Sequence, residues 1–106
     1  MTTVLIESGI CGFSTTIRVF KGERRKVGLA IQSTCEKVDA LGREVQEMDM
    51  LDVIKNPINE NPVYMKAGEC RLHGSCPVPC GVLKAAEVAL GLALPKDVKI
   101  GFMSEE

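Results

Sequence analysis

Three runs of alternating or uninterrupted apolar residues in the first third of the chain constrain the fold most. Val4-Leu5-Ile6, then Ile17 and Val19 around Arg18, then Val27, Leu29 and Ile31 follow the period of two that puts one side of a strand against a core. Three short strands are expected. Lys21-Gly22-Glu23-Arg24-Arg25 separates the second from the third and has the glycine and charges of a hairpin tip, its basic side chains simply solvated.

The period then changes. Ser33-Thr34-Cys35-Glu36 reads as a capping box, with the Ser33 hydroxyl accepting from the Glu36 N–H. The stripe Val38, Leu41, Val45, Met48, Leu51 predicts a helix from there to about Ile54, stopped by Asn56-Pro57. Residues 56–75 are rich in Asn, Pro and Gly, and only Pro62-Val63-Tyr64-Met65 reads as a short strand. Prolines 77 and 79 suit a first helical turn, so a second, mostly buried helix is expected over Val82–Leu90, ended by Gly91 or Pro95. Val98, Ile100 and Phe102 alternate with Lys99 and Gly101 and predict a last strand joining the sheet. The sum is one α+β domain over residues 1–106. It has two layers, an antiparallel sheet of three to five short strands carrying two helices in the order β-β-β-α-loop/β-α-β.

Composition narrows the function. Thirteen basic against fourteen acidic side chains give a net charge of −1, with none of the cationic surplus that drives binding to nucleic acid. Gly81 to Leu94, the longest apolar stretch, carries Lys84 and Glu87 and is too short to cross a bilayer, so no membrane partner is expected. Met1-Thr2-Thr3-Val4-Leu5-Ile6-Glu7 lacks the basic start and apolar run of a secretory signal, which points to the cytoplasm. No nucleotide-binding glycine loop, Gly-x-Ser-x-Gly elbow or His-Glu-x-x-His pair occurs. Glu44, Glu47, Asp49 and Asp52 read as the wet face of the first helix, and no catalytic residue is assigned.

The five cysteines carry the remaining information. An odd number cannot pair completely, and a reducing compartment favours thiols. In an antiparallel meander the first connection and the end of the third strand share one end of the sheet, which brings Cys11 and Cys35 together. If the chain returns across the sheet before the second helix, Cys76 and Cys80 arrive at the same end. Cys11 lies between glycines in Gly9-Ile10-Cys11-Gly12, a backbone able to wrap an ion or cluster. Cys35 and Cys76 stand at helix starts, where free N–H groups and the helix dipole favour a thiolate. Cys35 also falls on the apolar stripe, so plain core packing accounts for it equally well.

Cys70-x2-His73-x2-Cys76-x3-Cys80 resembles the spacing of a bacterial ferredoxin cluster run, over about a tenth of the chain. A histidine replaces the second cysteine and Gly81 stands where that run has proline, so the resemblance does not extend to a ferredoxin. The same segment alone suits a Cys3His zinc site, but this leaves Cys11 and Cys35 unexplained. Cys11, Cys35, Cys76 and Cys80 are therefore the expected metal ligands, with Cys70 or His73 as alternatives to Cys80 for the fourth. An iron–sulfur cluster is the expected cofactor, with zinc the alternative. The expected function is electron transfer or cluster delivery to a partner protein. Two other readings stand beside it: thiol redox or sulfur handling with Cys76 as nucleophile and Cys80 resolving, and an adaptor domain with ordinary cysteines.

Overall fold

The alternating segments form a meander in the computed structural model, which describes residues 1–104. Strands β1 (Thr2–Glu7), β2 (Ser14–Lys21) and β3 (Lys26–Ser33) pair antiparallel in chain order, with Val4 opposite Ile17 and Ile17 opposite Ile31. Ile17, Val19, Val27, Leu29 and Ile31 thereby share one face and are buried, while Thr16, Arg18 and Gln32 lie on the other. The β2–β3 tip is closed by the Gly22 N–H to the Lys26 carbonyl (2.8 Å), with Arg24 in the left-handed region.

Helices cover the apolar face. Helix α1 (Glu36–Glu44) buries Val38 and Leu41, and its Gly42 is needed because a Cβ there would stand 3.0 Å from the Ile31 Cβ and 3.1 Å from the Ile31 carbonyl oxygen. Helix α1 starts at Glu36 with Cys35 as an extended N-cap residue that makes no side-chain cap. The expected Ser33 cap fails because that hydroxyl is used elsewhere. It bonds the buried Thr15 hydroxyl (2.8 Å) across the sheet and accepts from the Cys35 N–H (3.1 Å).

The first helix also stops ten residues earlier than its stripe suggests. Beyond Val45 the backbone serves the free side of β3: the Gln46 carbonyl accepts from the Leu29 N–H (2.9 Å), and β4 (Glu47–Asp49) pairs with Lys26–Gly28. Continued as helix, this segment would leave that side of β3 without partners. Met48 is buried in either conformation, but Leu51 is 67% exposed. Asp49 and Asp52 then form a reciprocal capping box for the short α2 (Met50–Val53). Asp49 and Asp52 thus cap a helix rather than line its wet face.

The expected strand at 62–65 is instead helix α3 (Pro62–Glu69), with Pro62 in its first turn. Its N-cap, Asn61, is 3% exposed and accepts from the Val63 N–H (2.9 Å), while its amide donates to the carbonyls of Asp52 (3.1 Å), Lys55 (3.2 Å) and Val53 (3.4 Å). One side chain therefore ties the end of α2 to the start of α3.

Helix α4 (Val78–Ala89) lies on β1 and β2 and buries Val78, Pro79, Val82, Ala85 and Ala86. Gly91 ends it at φ 76° in a paired turn, its N–H bonded to the Val88 carbonyl and that of Leu92 to Glu87. The chain beyond forms no strand among the described residues: Val98, Ile100 and Phe102 are 56%, 85% and 103% exposed. This segment lies exposed beyond the Gly91 turn, and the molecule measures 52 Å along one axis against 28 and 25 Å on the others. Over the described residues the protein is thus a small two-layer α+β domain with a four-stranded antiparallel sheet and four helices on one face.

Candidate metal centre

Three connections meet at one end of the sheet. The first joins β1 to β2 through a single 3-10 turn (Gly9–Cys11), flanked by Gly9 at φ 79° and Gly12 at φ 73°, a conformation that a side chain would strain. Cys11 is exposed there, its thiol 3.7 Å from the Ser8 carbonyl. The second is the β3–α1 junction, where Cys35 is half-buried against the core. The third links α3 to α4. Helix α3 ends in a paired turn in which the Arg71 N–H bonds the Gly68 carbonyl and the Leu72 N–H bonds that of Ala67, both at 3.0 Å. Arg71 takes φ 62° to make this turn, where glycine is the usual residue. Leu72 then packs back on the core, and the chain continues through His73 to Cys76, whose N–H bonds the His73 carbonyl (3.0 Å).

Between these connections lies a cavity of about 500 Å³ bordered by Cys11, Cys35, Cys76 and His73. Its other walls are mainly apolar, with Ile10, Phe13, Val38 and Leu72 prominent, and Glu36 and Lys37 placing opposite charges at its border. Ile10 is fully exposed and Phe13 partly so. Neither was singled out in the sequence, although an isoleucine between glycines beside a cysteine has no core to enter. Cys70 caps the C-terminus of α3 and packs on the core away from this cavity. Cys80 lies in the first turn of α4 and does not border it either. Its neighbour is Tyr64, whose phenol pKa is raised by burial first and by Cys80 second. Among the described residues, no three His, Cys, Asp or Glu side chains stand close enough to hold a single metal ion as they are.

A family model described as a family of unknown function (DUF6951) matches residues 2–102. The chain belongs to the DUF6951 family. The match takes in all three connections that build the cavity. Neither a curated protein nor a solved structure matches the chain. No helix among the described residues of this DUF6951 member is long and apolar enough to cross a membrane.

The electrostatics differ from the thiolate expected at Cys76. Burial pushes its pKa up, a hydrogen bond from the Val78 backbone at the start of α4 pulls it down, and Cys35 and Cys11 push it up further. Desolvation outweighs the helix terminus, so Cys76 keeps its proton at neutral pH. Because the folded pKa lies above the unfolded one, the resulting stabilisation is complete below the ordinary thiol range. It disappears as pH rises through the folded value. The melting temperature is accordingly expected to fall across that alkaline range, and Cys76→Ser to flatten the fall. An equal fall in the variant would assign it to other groups.

Proposed function

We propose that this chain is a small metal-binding protein that holds an iron–sulfur cluster through Cys11, Cys35 and Cys76, for electron transfer or for delivery of the cluster to a partner protein. The observation that carries the proposal is the meeting of three thiols, from three separate connections, around one cavity of about 500 Å³.

A cluster suits the spacing better than a single ion. Four-coordinate zinc draws its thiolates to about 2.3 Å from one centre and so to about 3.8 Å from each other. In a four-iron cluster each thiolate binds its own iron, and the ligands surround a wider body. Among the described residues no three such side chains stand close enough for one ion as they are, so a single zinc would require the connections to close on it. His73 is the fourth candidate ligand at the cavity; Cys70 and Cys80 stand elsewhere. The apolar walls favour a thiolate-bound group over a hydrated one. The raised pKa of Cys76 argues against its use as a free nucleophile and makes metal binding release a proton. Exposed Ile10 and Phe13 beside Cys11 supply an apolar contact through which a partner can approach the group.

The experiment is anaerobic purification followed by a visible spectrum and analysis for iron, acid-labile sulfide and zinc. Brown protein with iron and sulfide in comparable amounts is the expected result. One zinc per chain without colour would replace the cluster by a zinc site, and protein free of both after reconstitution with iron and sulfide would overturn the proposal.

A further inference from the structure

The sheet has one long free edge. Among the described residues β1 pairs only with β2, so the outer side of Thr2–Glu7 offers a row of unpaired backbone groups with no proline, lysine or bulge to blunt it. At the other end the edge is β4, only three residues long. The same chain carries an unpartnered segment with the pattern of a strand: Val98, Ile100 and Phe102 alternate with Lys99 and Gly101, and all three apolar side chains are exposed, as is Met103. The two features are complementary in length, pattern and charge.

We propose that residues 98–104 of one copy add as a strand to the β1 edge of a second copy, reciprocally, in a two-fold dimer. An antiparallel register with Lys99 opposite Glu7 brings Ile100 beside Ile6 and Phe102 beside Val4. Val4 and Ile6 are the β1 residues that pack on the core, so the added side chains extend the face covered by helices. On the other face Gly101 comes opposite the exposed Leu5, and the Lys99–Glu7 pair joins two charges that make no ion pair within the chain among the described residues. Shifting this antiparallel register by two residues one way puts Asp97 opposite Glu7, a like-charge contact, and the other way puts Gly101 there and loses the ion pair. Each copy has one such edge and one such arm, so two copies satisfy both and the assembly closes. The inference is independent of any metal.

Light scattering coupled to size exclusion, run on the full chain over a range of concentrations, is the test. A dimer is expected, and Ile100→Asp is expected to weaken it by about ten-fold or more, since a carboxylate would replace the residue beside Ile6. Lys99→Glu should weaken it as well, and Lys99→Glu combined with Glu7→Lys should restore it. A full chain that is monomeric at every concentration would overturn the proposal, including one whose 98–102 amides are protected by docking on its own β1. A dimer indifferent to all these substitutions would overturn it too, by assigning the contact to another surface.

Discussion

Serine in place of Cys11, Cys35 or Cys76 is expected to lower the iron and sulfide bound per chain by about ten-fold or more in each case, because loss of a ligand exceeds the 10–100-fold effect of losing a ligand's support. Cys70→Ser and Cys80→Ser should leave the content within about two-fold, since neither side chain borders the cavity. The folded state should survive all five changes. Cys11 is exposed and contributes nothing to the core, and the other four are only half-buried, so a hydroxyl of similar size keeps access to water. Circular dichroism alongside metal analysis separates a lost ligand from a lost fold. His73→Ala decides the fourth position: a proportionate loss of iron makes the histidine a ligand, and retention leaves one iron open to an external donor. If Cys80→Ser removed iron as completely as Cys35→Ser, the cavity would not be the site.

Asn61→Ala is expected to reduce stability by about 2–4 kcal/mol, more than any substitution on the exposed face of the sheet. The cap itself contributes about 1 kcal/mol. Carbonyls of Asp52, Val53 and Lys55, left without their shared donor, account for a further 1–3 kcal/mol or so. Asn61→Asp makes the sharper test. Its carboxylate still accepts from the Val63 N–H, but it faces three carbonyl oxygens with no hydrogen to offer. Urea unfolding at neutral pH should find it at least as destabilised as the alanine variant. Equal stability to the parent would mean that the cap alone matters.

That asparagine also marks where sequence reasoning stopped. Asn61-Pro62 has both signals of a helix start, an N-cap side chain and a first-turn proline, yet a proline amid Asn and Gly reads more readily as a loop with a strand fragment. The strands of the meander were legible because burial on one face forces an unmistakable period. The length of the first helix was not, since Met48 is apolar at both helical and strand spacing and only the free side of β3 decides between them. The meeting of Cys11, Cys35 and Cys76 followed from connectivity, because connections at one end of a sheet have few places to go. Cys80 depended on rotation about a helix axis. Bringing the start of the second helix to that end of the sheet was read as bringing Cys80 with Cys76, but α4 begins at Val78, so Cys80 lies within the helix and Cys76 outside it. At the C-terminus the alternation of Val98, Ile100 and Phe102 predicted a strand in the sheet, but the segment is exposed and forms none, and nothing local could say that its own sheet would leave it out.

The strand order β1-β2-β3-β4 has a consequence for the order in which the molecule assembles. Every pairing in the sheet joins neighbours along the chain, so the sheet can form by short loop closures, which are fast. Docking α4 on β1 and β2 is the long closure, spanning most of the sequence. Cys11 and Cys35 belong to the early part and Cys76 arrives only with the late one. Completing the cavity requires that long closure, because α4 follows directly on the connection that carries Cys76.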